Sequence, residues 1–171
     1  MTTVAPLHLD GEVTIRRPVE EVFDFVADER NEPLYNHRMN RAQLLSDEPV
    51  GPGSRFSAEM KSGGRFVQMV VELTAYERPR RLASSAHLAA MDVSGHLSFD
   101  AVPDGTLMHW VWDVRPKGVL RLLSPGLAVL GRRQEEAVWE ELKTALEHDT
   151  SDAPPTVGIE GGAEQAGEGA R

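Results

Sequence analysis

The sequence predicts an α+β fold in which a curved antiparallel sheet wraps around one long C-terminal helix, an arrangement called a helix grip. Three observations support this fold class. The strand-like segment Leu7 to Ile15 is followed at once by a helical segment that opens on Pro18. Several segments of alternating apolar and polar residues, separated by turn residues, come next. Residues 119–147 then show apolar residues at helical spacing.

The first helix is indicated by its opening residues. Pro18 suits the first helical position, where its missing N–H costs nothing. Glu20 and Glu21 then lie in the first turn, where the helix dipole favours carboxylates. Apolar residues at helical spacing predict a core-facing side made of Val22, Phe23 and Val26. The polar segment 31–37 breaks this helix and predicts a second short one, so two short helices follow the first strand.

The middle of the chain predicts the rest of a sheet of about six or seven strands. Turn residues separate the segments at Ser62-Gly63-Gly64, at Arg78-Pro79-Arg80 and at Pro103-Asp104-Gly105, the last being an Asp-Gly hairpin signal. The predicted strands after the first are 54–61, 65–76, 81–88, 92–101 and 106–115.

Composition predicts one domain with a polar tail. A chain of 171 residues fits a single domain, which we place at 7–149 after a flexible N-terminus, 1–6. Residues 150–171 consist mainly of Gly, Glu, Ala, Pro, Ser and Asp. Such a segment cannot bury enough apolar area to offset the entropy cost of ordering. We therefore expect a disordered acidic tail.

Several classes of function are disfavoured by composition. The chain has no cysteine, which excludes disulfides and thiolate metal sites. A formal net charge of −9 disfavours nucleic acid as a partner. The longest apolar stretch, 119–130, is interrupted by Arg121 and Pro125 and is shorter than the ~20 residues of a membrane span. We expect no stable membrane insertion, and a cytoplasmic location because the N-terminus lacks signal-peptide features.

Three segments carry a family resemblance. Residues 15–28 read Ile-Arg-Arg-Pro-Val-Glu-Glu-Val-Phe-Asp-Phe-Val-Ala-Asp, residues 49–56 read Pro-Val-Gly-Pro-Gly-Ser-Arg-Phe, and residues 76–82 read Tyr-Glu-Arg-Pro-Arg-Arg-Leu. The chain from Leu7 to His148 resembles the START-like (SRPBCC) superfamily, which includes polyketide cyclases and dehydratases. The resemblance implies a bacterial helix-grip protein whose cavity holds a polyketide, aromatic, quinone or lipid. It implies no particular one of these ligands, and relatives often carry Trp where this chain has Tyr35.

Strand alternation predicts which residues face the cavity, because successive side chains point to opposite sides of a sheet. Met108, Trp110 and Trp112 share one face of the last strand, and the preceding strands are assigned in the same way. The strand from Arg65 is less decisive, since both of its faces carry apolar residues. Residues at three- or four-residue spacing in the long helix, and Tyr35 on the segment before the second strand, complete the set. The ligand-binding candidates are Tyr35, Phe56, Met60, Met69, Ser84, Leu97, Met108, Trp110, Trp112, Leu127, Leu130, Gln134 and Val138. Core packing is the alternative role for the tryptophans and methionines.

The predicted inner face offers little for acid–base chemistry. Its polar groups are Ser84, Gln134 and the tryptophan N–H groups, while the strand histidines fall outside. His37 and Tyr35, on the segment expected near the cavity mouth, are the candidate catalytic residues. The alternative for His37 is an ordinary exposed loop histidine.

The outer face offers one conditional metal site. If Met91-Asp92 and Asp104-Gly105 form two-residue turns, His87, His96 and Asp113 form a cross-strand row and His109 faces Asp100. A one-residue slip would destroy this row. The alternative is a solvated face with weak ion pairs, and our prediction is that the protein has neither a metal nor a cofactor.

Two functions from different classes are consistent with these features. The first is a carrier or sequestering protein, monomer or homodimer, that binds a hydrophobic small molecule. The second is a cyclase- or dehydratase-type enzyme that orients its substrate in the cavity. A regulatory module acting on a partner protein is favoured if the cavity is filled by the protein's own side chains. Residues 119–130 form either the lid and first turns of the long helix or a membrane-touching segment.

Overall fold

The computed structural model describes residues 6–119 and 124–148, and shows the helix-grip fold that the sequence predicts. A 3-10 helix, Glu29–Leu34, follows the first α-helix. The strands and α-helices in chain order are β1 (Leu7–Ile15), α1 (Val19–Ala27), β2 (Met39–Leu44), β3 (Arg55–Ser62), β4 (Arg65–Glu77), β5 (Arg81–His87), β6 (Met91–Val102), β7 (Gly105–Pro116) and α2 (Ser124–His148).

All six predicted strands are present, each ending within one residue of the predicted position. The prediction lacked β2, a short edge strand of sequence Met-Asn-Arg-Ala-Gln-Leu in which only Met39 is buried. Its polar composition hides the alternation that marks the other strands. The long helix is described from Ser124 to His148. Residues 120–123, the expected flexible N-terminus up to residue 5 and the expected tail from residue 150 lie outside the described residues.

The seven strands form one antiparallel sheet in the order β1-β7-β6-β5-β4-β3-β2. The pairing of the strands places the turns between them at two opposite ends of the sheet. At one end lie the β3–β4 and β5–β6 turns, the end of β7 and the start of β1. We call this the open end. The opposite end, with the β4–β5 and β6–β7 turns and helix α1, is the closed end.

Helix α2 crosses the concave face from the open end to the closed end. Near its start, Arg132 Nη2 lies 3.3 Å from Asp10 Oδ1 in β1. Near its finish, Arg17 Nε donates to the Leu146 carbonyl over 2.6 Å, and Arg16 Nη2 donates to Glu147 Oε2 over 2.9 Å. Cations near the last carbonyls of a helix also suit its dipole. These contacts fix the helix across the sheet.

The closed end holds the core. Phe23 of α1 makes edge contacts with Phe99 and Tyr76, with ring centroids 5.2 Å apart in both pairs. Trp110 is 1% exposed and lies in the same cluster as Leu142 from α2. Aromatic edge contacts of this kind add to the stabilisation that burial supplies. The closed end is therefore filled by the protein's own side chains.

Cross-strand pairing settles the face of β4. Met69 pairs with Ala58 and Val71 with Phe56, so Val67, Met69 and Val71 share the inner face with buried β3 residues. An irregularity between Leu73 and Ala75 follows toward the closed end. The bulge leaves the inner face of the first half of β4 unchanged.

The conditional metal row does not form. His87 pairs with Asp92, His96 with Val111 and Asp113 with Ser94, because both turns lie earlier in the chain than the row requires, at 89–90 and 103–104. His109 faces Ser98 rather than Asp100. Asp113 instead accepts from the His8 ring over 3.0 Å. Within residues 6–119 and 124–148, no group of three or more His, Asp or Glu side chains could hold a metal ion.

Candidate functional site

The candidate site lies on the concave face toward the open end of the sheet. Most inner-face side chains there are only partly buried, with Leu9, Met39 and Leu88 as exceptions, whereas most of those toward the closed end are fully buried. Solvent therefore reaches a mainly apolar surface between the sheet and α2. The half-buried residues on this surface are Met60, Val67, Met69, Ser84, Ala86, Val93, Gly95, Trp112 and Val114, with Gln134, Glu135 and Val138 opposite them on α2.

The predicted ligand-binding residues divide between the two ends. Met60, Met69, Ser84, Trp112, Gln134 and Val138 lie toward the open end. Phe56, Leu97, Met108 and Trp110 are buried in the core at 3% exposure or less, which leaves them no surface for a ligand in this conformation. Leu130 is 53% exposed and does not pack on the sheet as we expected. The Leu127 side chain lies outside the described part of the chain.

The most distinctive contact of the site joins β7 to α2. The Trp112 indole N–H donates to Glu135 Oε2 over 3.0 Å, and the contact is partly buried. Trp139, one turn further along α2, has a buried indole N–H that makes no hydrogen bond of standard geometry. This N–H nevertheless lies close enough to Glu135 to lower the pKa of its carboxyl. Two indole N–H groups thus converge on one carboxylate.

Glu135 holds its proton unusually tightly. Burial, reinforced by the nearby Glu32 carboxylate, raises the pKa of Glu135 to about 7. The Trp112 hydrogen bond and the Arg38 guanidinium lower the pKa and offset only part of that increase. Near neutral pH, Glu135 therefore exists in both protonation states. It can donate or accept a hydrogen bond, and it can exchange a proton with a bound molecule.

A second pair of carboxyls lies on the 3-10 helix. Burial raises the pKa of Glu29 well above its usual range, and the adjacent Glu32 carboxylate raises it further. Glu32 in turn accepts from the Asn36 side chain over 2.7 Å. A like charge next to a partly dry carboxyl disfavours its ionised form, so Glu29 holds its proton more tightly than an exposed glutamate. This pair makes the edge of the site beside Glu135 strongly acidic.

One cation bridges the 3-10 region and α2. Arg38 Nη1 donates to the Gln134 side-chain oxygen over 2.6 Å. The backbone N–H of Arg38 donates to the Asn36 side chain over 3.1 Å. The guanidinium therefore spans the gap between the chain before β2 and the helix, next to Glu135. Gln134, expected to face the sheet as a polar ligand contact, has its oxygen engaged by Arg38.

His37 and Tyr35 do not face one common site. The His37 side chain is 82% exposed, with Nε2 3.1 Å from Glu141 Oε1. Tyr35 is 5% exposed and lies between Phe25 and Trp139, at centroid distances of 6.1 and 6.3 Å. Burial raises the pKa of Tyr35 well above its usual range. Tyr35 is thus part of the core rather than at the cavity mouth, where we expected it.

Sequence reasoning missed Glu135, Glu29 and Glu32. It placed Gln134 toward the sheet and concluded that no titratable group lay inside. A signal was present, since Glu135 shares a helical stripe with the buried residues Trp139, Leu142 and Leu146. No comparable periodicity marks Glu29 and Glu32, because the 3-10 helix contains no buried residue.

Two further concavities are bounded by described residues. An open groove of about 500 Å³ lies at the closed end between residues 16–20 and 101–105. A depression of about 280 Å³ lies along 10–12 and 109–111. Neither is lined by the Trp112–Glu135 pair or the half-buried methionines. We assign the candidate site to the concave face, because among residues 6–119 and 124–148 this is where apolar lining and convergent polar groups coincide.

Comparison with known proteins identifies the family. Residues 6–147 match the family described as "Polyketide cyclase / dehydrase and lipid transport". The chain belongs to this family. Its sequence matches no curated protein.

Solved structures share the fold at low sequence identity. The Zhui aromatase/cyclase from Streptomyces sp. R1128 superposes with a TM-score of 0.70 at 13% identity, covering 84% of this chain and 94% of that one. A START superfamily protein from Mycobacterium smegmatis gives 0.64 at 18% identity, with 84% and 97% covered. A protein from Thermus thermophilus gives 0.72 at 16% identity, with 84% and 99% covered. At such identities the likeness establishes the fold alone.

Proposed function

We propose that this family member binds a hydrophobic small molecule between its sheet and α2, as a carrier or sequestering protein. The observation that carries the proposal is the contrast between the two ends of one concave face. The closed end is filled, while Met60, Met69, Ala86 and Trp112 keep solvent-accessible apolar surface toward the open end. A ligand bound there would cover apolar surface that the protein's own side chains leave exposed to solvent.

The expected affinity follows from that apolar surface. Each square ångström of apolar area removed from water contributes about 25 cal/mol. A two- or three-ring ligand would gain micromolar affinity after the cost of association. Methionine side chains such as Met60 and Met69 adapt to irregular shapes. The site therefore suits a family of polyketides, aromatics, quinones or lipids more than a single rigid molecule.

The polar groups would orient such a ligand. Glu135 can accept from a hydroxyl or donate to a carbonyl, because its pKa lies near neutrality. Ser84 lies on the inner face of β5 and supplies a further hydroxyl. We therefore propose a ligand that is apolar over most of its length and carries a carbonyl or hydroxyl group near α2. We place the protein in the cytoplasm, as a monomer or homodimer.

A second candidate function, favoured by Glu135, is a cyclase- or dehydratase-type enzyme. A carboxyl with a pKa of about 7 beside an apolar surface has the property that general acid–base catalysis requires. Orientation of a reactive chain would supply much of the rate. In this function His37, which is exposed beside Glu141, and the buried Tyr35 stay candidates for proton transfer. Glu135→Gln separates the two functions. The glutamine amide still accepts and donates hydrogen bonds, which would spare affinity in a carrier, but it cannot transfer a proton, which would remove turnover in an enzyme.

A test of the site itself uses two neighbouring residues of β5. Ala86 points to the inner face and pairs with Val71, whereas Ser85 points to the outer face and pairs with Glu72. Ala86→Phe would fill the proposed site, and Ser85→Phe adds the same ring to the opposite side of the sheet. In titrations with the fluorescent probe 1-anilinonaphthalene-8-sulfonate and competing aromatics and fatty acids, only Ala86→Phe should lose binding. Equal binding by both variants would contradict the proposed site.

A further inference from the structure

The open end of the domain carries a concentration of positive charge that opposes the charge of the whole chain. Four segments meet at this end: 61–66, 88–91, 115–119 and 129–133. Together we call them the basic rim. They contain six Lys or Arg residues and no Asp or Glu, although the chain has a formal net charge of −9. The cations are Lys61, Arg65, Arg115, Lys117, Arg132 and Arg133.

Most of these cations are available to an external partner. Lys117 pairs with Asp92 at 2.7 Å, and Arg132 approaches Asp10 at 3.3 Å. Within the described ranges of the chain, the other four have no carboxylate at ion-pair distance, and all four are exposed. Unpaired cations at one end of an acidic protein create a local field of opposite sign to the remainder.

The basic rim also exposes large apolar side chains on three separate segments. Phe66 is 61% exposed at the β3–β4 turn, and Val119 is 78% exposed after β7. Val129 and Leu130, on the first turns of α2, are 59% and 53% exposed. The β3–β4 hairpin reaches past the end of β5, because β4 has no β5 partner before Val70. Phe66 therefore projects beyond the sheet.

We propose that the basic rim docks on an anionic membrane surface. Basic residues beside protruding apolar side chains are what peripheral proteins use to bind acidic lipid headgroups and insert into the interface. An anionic protein partner would satisfy the cations but would need matching pockets for apolar residues spread over three segments. A fluid bilayer accepts exposed apolar side chains without any preformed pocket. The described residues include no helix able to cross a membrane, so the contact would be peripheral.

Docking at this end would bring the candidate site to the membrane. The rim surrounds the end of the sheet at which the inner face is only half-buried. A ligand could then pass between bilayer and protein without crossing bulk water. The docking itself requires no ligand, so its test is independent of the small molecule that the domain binds.

The test compares flotation of the full chain with phosphatidylcholine vesicles that contain or lack phosphatidylglycerol. We expect binding only to the anionic vesicles and its loss at ~1 M salt, where the screening length falls to about 3 Å. Lys61→Glu with Arg65→Glu should weaken binding by about tenfold or more, because each basic residue contributes several-fold near an anionic surface. Arg55→Glu with Arg80→Glu changes the charge equally at the closed end and should leave binding unchanged.

A second matched pair tests the apolar part of the rim. Phe66→Ser should weaken vesicle binding. Leu45→Ser removes a similarly exposed side chain just after β2, at the closed end, and should leave vesicle binding unchanged. Absence of binding to anionic vesicles, or equal losses in rim and control variants, would overturn the proposal. Rim-dependent capture of an acidic protein without vesicle binding would also overturn it.

Discussion

Trp112 in β7 and Glu135 in α2 are joined by a hydrogen bond of 3.0 Å from the indole N–H to carboxyl oxygen Oε2. This contact fixes the helix against the sheet at the point where the filled core gives way to the half-buried apolar face. The same carboxyl has its pKa raised to about 7 by burial. A structural contact and a chemically competent group therefore coincide at the boundary of the candidate site.

Glu135→Gln should stabilise the protein at alkaline pH and have little effect in acid. The pKa of Glu135 is raised on folding, so the native state binds the proton more tightly and ionisation costs stability as pH rises from about 4.5 to 7. A neutral glutamine avoids that cost, a gain of about 3 kcal/mol near pH 8. Urea unfolding at several pH values measures it. The exposed neighbour Glu136→Gln is the control and should show no such pH-dependent gain.

Trp112→Phe should raise the pKa of Glu135 further. The indole N–H stabilises the ionised carboxyl, and phenylalanine keeps the ring without the donor. Carbon-detected NMR titration of the glutamate carboxyls gives the pKa, and Glu135→Gln assigns the signal by its loss. An unchanged or lower pKa in Trp112→Phe would show that the hydrogen bond does not hold in solution.

The two tryptophans of β7 should separate stability from binding. Trp110 is 1% exposed, so Trp110→Ala should cost about 3–5 kcal/mol of unfolding free energy. Trp112 is half-buried beside the proposed site, and Trp112→Ala should cost less while weakening ligand affinity. Chemical unfolding and probe titration of both variants check this. Equal loss of stability in the two would place Trp112 in the core and remove it from the site.

Gly95 gives Trp112 room on the inner face. A Cβ at this position would lie 1.9 Å from the Val111 carbonyl oxygen and 2.5 Å from Cε3 of Trp112. Gly95→Ala should therefore destabilise the fold by about 2 kcal/mol or more, since backbone atoms cannot move away cheaply. Gly126→Ala in α2 meets no atom within 4 Å and should stabilise by up to about 1 kcal/mol. Thermal unfolding distinguishes them, and wild-type stability of Gly95→Ala would contradict the close packing.

The fold was predictable because each of its main elements has a local signal. Alternation fixed the inner faces of β3 and β5 to β7, and Gly, Pro and Asp residues marked their turns. Edge strand β2 lacks this signal, since only Met39 among its six residues is buried. Turn position also escaped prediction, and with it the pairing of His87 with Asp92 rather than His96.

The candidate site was predictable only in its apolar part. Met60 and Trp112 lie on the inner face as alternation indicated, and Met69, whose strand alternation left open, lies there too. The acidic groups depend on how the 3-10 helix and α2 approach each other, a tertiary relationship without local periodicity. Tyr35 shows this most clearly, since it belongs to the segment expected at the mouth but lies in the core. The 3-10 helix just before it carries Glu29, whose pKa is raised by burial.

The most direct test of ligand binding is native mass spectrometry of the full chain purified from its own host, followed by denaturation and identification of any released molecule. We predict that the wild-type protein retains a hydrophobic molecule with a carbonyl or hydroxyl group, and that Ala86→Phe does not. A protein that is empty in both forms, with no thermal shift across aromatic, quinone and lipid panels, would contradict the account. The half-buried inner face would then have to be covered by a partner protein.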